Sequence, residues 1–198
     1  MLLWPAESCL VMAAGYLGLG ARVVGKDSAG HFAPWSFLFC GPYLLYYNAI
    51  ARLGCGLRGD RAYDLIAPGL WLGRHPSIGR LPPGVRWLVD VVTEMPRLRG
   101  FVDDDHYLGF PMLDGDVAPI DEFRTFVLRV AALEGDVLIH CAAGRGRSAT
   151  LMAGVLLARR LADSPEQAVK MIRSVRPGIK VNGKQMRVLT AARLNGAG

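Results

Sequence analysis

The chain has 198 residues, 52% of them hydrophobic, with a mean hydropathy of +0.25 and a formal net charge of +6. This length fits one full-sized domain with an addition, and the composition is apolar for a purely soluble protein. The four cysteines show no CxxC pairing, which argues against a zinc site or a disulfide scaffold. No nucleic-acid-binding motif accompanies the positive charge, so we expect no nucleic-acid partner.

The excess of apolar residues lies at the amino terminus. Residues 1–21 contain a single charged residue, Glu7, and residues 32–51 contain none. Both stretches approach the roughly 20 apolar residues that cross a bilayer. We therefore predict that residues 1–53 are membrane-associated, either as a two-helix hairpin or as one span with an interfacial segment, and that with a linker they make up a first region over residues 1–60. The alternative is a pair of buried helices in a soluble fold, because prolines and glycines interrupt both runs.

The flanks of the second apolar run indicate its orientation. The aromatic residues near its ends fit an interfacial belt, and the arginines that follow place the rest of the chain in the cytoplasm by the positive-inside tendency. Residues 54–60, GCGLRGD, are typical of a linker. We therefore put a domain boundary near residue 60, with a second domain over residues 61–198. The aromatic residues in question are Trp35, Tyr43, Tyr46 and Tyr47.

Beyond residue 60, short apolar runs predict strands at 70–73, 86–92, 107–110 and 136–140. Apolar residues recur at helical spacing over 119–134 and predict a helix there. Two further helices are expected to begin after Ser164 and Asn182, each a capping residue followed three positions later by a glutamine. Strands that alternate with helices predict an α/β fold with a central, mostly parallel sheet flanked by helices.

The segment HCAAGRGRS, residues 140–148, joins the last predicted strand to a helix expected from Arg147. Small residues let this loop turn successive backbone N–H groups inward, where they can bind a tetrahedral oxyanion beside the helix N-terminus. The same field favours the thiolate of Cys141, a candidate nucleophile, and Arg147 can hold two phosphoryl oxygens. The residues expected to bind the phosphate are Ala142, Ala143, Gly144, Arg145 and Gly146.

This segment resembles the H-C-x5-R-S/T signature of the protein tyrosine phosphatase superfamily, and specifically its dual-specificity branch. The resemblance implies the cysteine-phosphatase fold and hydrolysis of a phosphomonoester without a metal or other cofactor. It implies that Cys141 forms a phosphocysteine intermediate and that Arg147 binds the substrate and the transition state. Ser148 would assist the thiolate as leaving group, and His140 would help to hold the environment of the thiolate.

The chemistry also needs an acid that protonates the leaving oxygen. In GFPMLDGDVAPID, residues 109–121, the family's pattern of a strand, a proline and an aspartate points to Asp114. Asp116, two residues further on, stays open as the alternative. Either carboxylate could instead cap the helix near Pro119.

The resemblance extends over most of residues 37–190 to the phosphatidylglycerophosphate phosphatases of the mitochondrial dual-specificity type. It rests on FCGPYLLYYNAIARL, YDLIAPGLWLGRHP and SPEQAVKMIRSVRPGIKVNGKQMRVL, besides the loop. It implies a lipid headgroup phosphate at a membrane as the substrate, with Arg145 as a second cation in the loop. The family's acidic Glu-Glu-Tyr region is reduced here to VVTEMPR, which leaves Glu94 alone.

The charge pattern predicts a basic surface near the membrane and an anionic lipid or phosphate ligand, because several basic residues and no acidic residue follow Glu166. A dual-specificity protein phosphatase acting on phosphotyrosine, phosphoserine or phosphothreonine is the alternative, since the loop itself does not distinguish these substrates. An inactive phosphate-binding module is the third hypothesis. The basic residues are Lys170, Arg173, Arg176, Lys180, Lys184, Arg187 and Arg193.

Overall fold

The computed structural model describes residues 3–59, 61–76, 81–98, 100 and 102–194. Across these residues a five-stranded sheet has the order β1-β2-β5-β3-β4. The β1–β2 pair is antiparallel, and β2–β5, β5–β3 and β3–β4 are parallel. The predicted α/β fold with a mostly parallel sheet is therefore confirmed. The strands are Tyr63–Ala67 (β1), Leu70–Arg74 (β2), Val85–Val92 (β3), Tyr107–Met112 (β4) and Asp136–Cys141 (β5).

Helices cover the sheet, and one of them forms the centre of the core. Helix α4 is buried from its first residue, Arg147, to Leu157, because β5 and the helices α3, α5 and α6 all pack against it. Its apolar side chains join those of the sheet in one continuous cluster. The helices are Leu3–Ala14 (α1), Ser36–Arg58 (α2), Ile120–Ala131 (α3), Arg147–Ala158 (α4), Pro165–Val175 (α5) and Gly183–Ala191 (α6).

The predicted strands and helices beyond residue 60 are all present. Ser164 accepts a hydrogen bond from the backbone N–H of Gln167 at 3.2 Å and so begins α5. Asn182 and Gln185 form a reciprocal capping box at the start of α6. The sequence did not indicate β1, the edge strand that completes the sheet.

The parallel register brings the carboxyl ends of three strands together. Strand β5 lies between β2 and β3, so that Arg74 is paired with Cys141, and Asp90 with His140. The loop that follows Cys141 therefore leaves the sheet at the edge where parallel strands place their ligands.

The amino-terminal region forms two packed helices, and α1 compensates for a proline within α2. Pro42 has no N–H and cannot bond to the carbonyl of Leu38, four residues earlier. The indole N–H of Trp4 donates to that carbonyl at 2.6 Å. The Tyr43 N–H, next along the helix, donates to the Ser8 hydroxyl at 3.2 Å. Helix α2 thus continues through the proline because α1 supplies partners for its backbone.

The predicted linker at 54–60 is wrong for most of its length, because α2 continues to Arg58. Cys55 is buried and its carbonyl accepts a hydrogen bond from Arg74, so this last part of the helix packs on the domain. Gly59 ends the helix with a φ of 61°, a left-handed conformation that favours glycine. The proposed boundary at residue 60 lies outside the described residues and stays a prediction.

Within the described residues, one helical stretch, Leu3–Val24, is long and apolar enough to cross a membrane by length and composition. The core helix of a soluble protein and a signal sequence share these properties. Helix α2 does not reach that hydropathy, although it contains most of the second apolar run. Its Tyr46 is exposed, whereas Tyr43 and Tyr47 are half-buried against the rest of the protein. The aromatic residues of the expected belt therefore do not share one environment.

Candidate active site

The loop between β5 and α4 has its carbonyl groups bonded on the side away from the pocket. The Ala142 carbonyl accepts from the His75 N–H at 3.1 Å, and that of Arg145 accepts from the Lys180 N–H at 2.9 Å. The side chain of Arg176 donates to the carbonyls of Ala143 at 3.3 Å and Gly144 at 2.9 Å. Because a peptide N–H points opposite to its carbonyl, these bonds orient the loop amides toward the pocket.

Gly144 is the residue that lets the loop lie this close to the sheet. Its φ of +69° is left-handed, and a Cβ at this position would lie 2.5 Å from the Gly73 carbonyl oxygen of β2. A side chain is therefore excluded twice, by the backbone conformation and by the neighbouring strand. The small residues predicted from the sequence fit this close approach.

Cys141 lines a pocket of about 260 Å³. Its Sγ is 3.2 Å from the hydroxyl oxygen of Ser148, in the first turn of α4. Both residues are buried, and Cys141 is among those that line the pocket. The structure therefore brings Cys141, the predicted nucleophile, next to Ser148, the residue predicted to assist its thiolate as the leaving group. The loop residues Ala142, Ala143, Arg145 and Gly146 line the same pocket.

Arg147 is fully buried and held on three sides. Its Nη1 donates to the Glu94 carboxylate and to the Met112 carbonyl, both at 2.6 Å, and its Nη2 donates to the Tyr47 hydroxyl at 2.6 Å. Burial by itself disfavours the charge, but the carboxylate of Glu94 outweighs it and raises the pKa of the guanidinium. Arg147 therefore keeps a permanent positive charge inside the protein, with its side chain in one orientation.

The structure separates the two candidate acids. Asp114 lines the pocket with Cys141, and its Oδ1 is 3.4 Å from the Nε of Arg147. Its backbone N–H donates to the second oxygen of Glu94 at 3.1 Å. Asp116 instead forms an ion pair with Lys184 and lines a different cavity of about 660 Å³. The geometry favours Asp114 as the acid.

His140 does not contact the pocket. It is 1% exposed, packs edge to face against His75, and lies 4.0 Å from the carboxylate of Asp90. Burial lowers the pKa of His140 and lowers that of His75 to about 3, so both rings are neutral at physiological pH. We place His140 behind the loop, where it supports the strand that carries Cys141.

The basic residues of the carboxyl-terminal region have different roles. Arg176 is buried and forms an ion pair with Asp64 at 2.6 Å, so it belongs to the loop's support and not to a solvated surface. Lys184 forms an ion pair with Asp116, whereas Lys180 lines the pocket together with Arg145. The expectation of one basic surface is therefore wrong for Arg176.

Three residues of the site were not predicted to be there. Tyr47 was assigned to a membrane belt, Arg176 to a basic surface, and Glu94 was noted without a role. For Glu94 a usable signal existed, because an acidic residue just after a buried parallel strand lies at the edge where ligands bind. Neither Tyr47 nor Arg176 carries a comparable local signal.

No group of three or more histidine, cysteine, aspartate or glutamate side chains that could hold a metal ion occurs in the described part of the chain. The positive charge near Cys141 is supplied by arginine, lysine and backbone amides.

The sheet, the loop at its carboxyl edge and the buried arginine define the class of protein as a phosphatase of the α/β cysteine-phosphatase fold. The sequence pattern of the dual specificity phosphatase catalytic domain matches residues 84–194, more than half of the chain. The chain belongs to the dual specificity phosphatase family.

Known proteins show the same relationship. Human dual specificity protein phosphatase 16 is 28% identical over 125 residues, which is 59% of this chain and 18% of that protein. Human phosphatidylglycerophosphatase and protein-tyrosine phosphatase 1 is 37% identical over 81 residues, 41% of this chain and 38% of that protein. The chain thus spans less than half the length of these relatives.

The fold agrees with solved structures. The structure of PTPMT1 in complex with PI(5)P covers 66% of this chain and 94% of its own, with a TM-score of 0.53 and 23% identity. Human DUSP28 covers 66% of this chain and 92% of its own, with a TM-score of 0.54 and 23% identity. At this identity the similarity establishes the fold.

Proposed function

We propose that this phosphatase hydrolyses a phosphomonoester through a phosphocysteine intermediate on Cys141, and that its substrate is the phosphorylated headgroup of a membrane lipid. The observation that carries the mechanism is the position of the Cys141 sulfur, at the floor of a loop of inward-facing amides and 3.2 Å from the Ser148 hydroxyl. Phosphatidylglycerophosphate and a phosphoinositide are the two headgroup classes that we consider.

In the first step the Cys141 thiolate attacks phosphorus, and the bond from phosphorus to the ester oxygen breaks. The loop amides and Arg147 stabilise the phosphoryl charge, and Asp114 gives its proton to the leaving oxygen. In the second step the Asp114 carboxylate takes a proton from water, whose oxygen attacks phosphorus. The Sγ–P bond then breaks, the sulfur leaves as a thiolate that accepts a hydrogen bond from Ser148, and inorganic phosphate is released.

The lipid substrate is supported by the exposed apolar side chains of the amino-terminal region, whose helix α2 also contributes Tyr47 to the pocket. Most of the large apolar side chains that are exposed in the described part of the chain belong to α1, α2 and the turns between them. Exposed apolar surface of this extent is typical of a site of interaction. We propose that this segment associates with a membrane while the catalytic domain faces the cytoplasm. The exposed residues include Leu3, Leu10, Leu17, Leu19, Phe37, Leu38, Leu45, Tyr46, Ile50, Leu53 and Leu57.

Charge at the pocket supports a polyanionic headgroup. Arg145 and Lys180 line the pocket in addition to the buried Arg147. One protein similar to this chain, phosphatidylglycerophosphatase and protein-tyrosine phosphatase 1 (PTPMT1), has a name that mentions a lipid phosphate, and one of its structures is in complex with PI(5)P. The alternative, a phosphoprotein substrate, is favoured by the match to human dual specificity protein phosphatase 16.

A substrate panel distinguishes the two candidates. The full chain in detergent is assayed on phosphatidylglycerophosphate, on phosphoinositides and on phosphotyrosine and phosphothreonine peptides. We expect a higher kcat/KM on one of the lipids than on any peptide, whereas equal or faster turnover of a peptide would contradict the lipid assignment. Cys141→Ser is the control, because it should lose turnover while still binding phosphate.

A further inference from the structure

Tyr47 reaches the active site from the amino-terminal helix, 100 residues before its partner in the chain. It lines the pocket with Cys141, and its hydroxyl oxygen accepts a hydrogen bond from the Nη2 of Arg147 at 2.6 Å. The guanidinium carbon lies 5.9 Å from the centre of the tyrosine ring, within the range of a cation–π contact. The apolar segment thus contributes a side chain to the pocket.

The neighbouring residue fixes this part of α2 to the domain. Asn48 donates from its amide nitrogen to the backbone carbonyl of Glu94 at 2.9 Å, and the Glu94 carboxylate accepts from Arg147. Two successive residues of α2 therefore contact Arg147 and the segment that carries its counter-ion. These two contacts fix the position of Tyr47 relative to the catalytic domain.

The hydrogen bond has two chemical consequences. It holds Nη2, while Glu94 and the Met112 carbonyl hold Nη1, so the plane of the guanidinium is fixed before substrate binds. The Tyr47 oxygen accepts from Arg147, so its own proton can be donated to a different oxygen. Burial raises the pKa of the Tyr47 phenol, which therefore remains a neutral donor at physiological pH.

We propose that Tyr47 is a substrate-positioning residue, which orients Arg147 and donates a hydrogen bond to an oxygen of the phosphoryl group bound in the loop. This inference rests on the proposed phosphatase mechanism but not on the identity of the lipid. It makes α2 part of the active site, in addition to any role at a membrane. Tyr46, the residue next to it, points outward and is 66% exposed, so it offers a matched control.

The test compares Tyr47→Phe with Tyr46→Phe in the full chain. Each substitution removes one hydroxyl group and keeps the ring. The measurements are kcat and KM on a small aryl phosphate and the competitive inhibition constant of inorganic phosphate. We expect Tyr47→Phe to raise KM and the inhibition constant about tenfold, because a hydrogen bond to a charged group is lost, while Tyr46→Phe matches the wild type.

Partial unfolding does not confound this comparison, because KM and a competitive inhibition constant are independent of the concentration of folded enzyme. Wild-type values of both constants for Tyr47→Phe would overturn the proposal, even with a lower melting temperature. If the proposed phosphatase mechanism is wrong, the wild-type chain itself will not hydrolyse the aryl phosphate. If only the role of Tyr47 is wrong, the wild-type chain will be active and Tyr47→Phe will have the same KM and inhibition constant.

Discussion

At the scale of single residues, the site depends on how the buried charge of Arg147 is balanced. Glu94 accepts from the guanidinium with one carboxylate oxygen and from the backbone N–H of Asp114 with the other. The same carboxylate therefore positions the phosphate-binding cation and the loop that carries the candidate acid. Because a buried charge without a partner is costly, these two functions are energetically linked through one side chain.

The position of Asp114 in the pocket leads to a prediction about leaving groups. Asp114→Asn should lower kcat on an alkyl phosphate by about 100-fold, the usual scale of general acid catalysis. The loss should be smaller on 4-nitrophenyl phosphate, because its leaving phenolate needs little protonation. Steady-state kinetics on both substrates tests this.

Asp116→Asn is the matched control, since Asp116 is held by Lys184 outside the catalytic pocket. It should keep the ratio of the two activities. The assignment of the acid would be wrong if Asp116→Asn alone changed this ratio.

Residues of a compact motif were predictable, whereas partners brought together by the fold were not. Cys141, Arg147 and Ser148 lie within eight positions, so the strand, the loop and the helix N-terminus fix their relation locally. The contact of Tyr47 with Arg147 depends on how α2 packs across the domain. An aromatic residue in an apolar run fits a membrane interface equally well on sequence alone.

At the scale of elements, the phosphate loop is shaped by its neighbours. Arg176, which follows α5, connects the loop carbonyls to Asp64 of β1, and β2 approaches Gly144 directly. The loop conformation is thus imposed by segments that lie far from it in the chain.

Gly144→Ala should therefore abolish activity and phosphate binding. A Cβ would lie 2.5 Å from the Gly73 carbonyl oxygen, which is a backbone atom, and a Cβ cannot rotate away from it, so the loop itself must move. Isothermal titration calorimetry with inorganic phosphate measures the loss of binding, and urea unfolding measures the accompanying loss of stability.

Gly56→Ala is a suitable control, because a Cβ there meets no atom within 4 Å on the exposed side of α2. It should leave phosphate binding unchanged and should not destabilise the helix, since alanine is the better helix former. Normal phosphate binding by Gly144→Ala would show that the strand and the loop can separate without cost.

Element boundaries were predictable where one side chain determines them. Ser164 and Asn182 cap their own helices through contacts that span three residues. The end of α2 was predicted too early, because glycines at 54 and 56 are typical of a linker, while the burial of Cys55 against the domain maintains the helix. Tertiary packing outweighs local propensity there.

At the scale of the whole molecule, the amino-terminal region supplies a buried cation to the sheet. Lys26 donates to the Asp90 carboxylate at 2.8 Å and to the carbonyls of Val92 and Met95 at 2.7 Å each. Tyr107 donates to the same carboxylate at 2.7 Å. Burial opposes the charge of Asp90, but Lys26 overcomes this and lowers the pKa of the carboxyl.

Lys26→Met should lower the free energy of unfolding by about 3–5 kcal/mol, because it leaves the Asp90 charge buried without its partner. Lys26→Met combined with Asp90→Asn should recover part of this loss. Because the folded pKa of Asp90 lies below its unfolded value of about 3.9, the stability due to the pair is present above that pH and declines as the pH falls below it. Urea unfolding at several pH values measures both effects.

Lys170→Met, at an exposed position on α5, should change the free energy of unfolding by less than about 0.5 kcal/mol. Equal stability of the Lys26 and Lys170 variants would mean that the amino-terminal region contributes no charge to the core. Urea unfolding of a chain that starts at residue 61 also tests the predicted boundary at residue 60. Such a chain lacks both Lys26 and Tyr47.

The loop carbonyls accept hydrogen bonds from His75, which follows β2, from α4, and from the segment between α5 and α6. An oxyanion finds its ring of amides only in the native state, because the unfolded chain cannot assemble contacts across more than 30 residues. Binding is then linked to folding, and phosphate at 100 times its Kd stabilises the native state by about 2.7 kcal/mol. Inorganic phosphate, the product of the reaction, is thus also a ligand that protects the enzyme from unfolding.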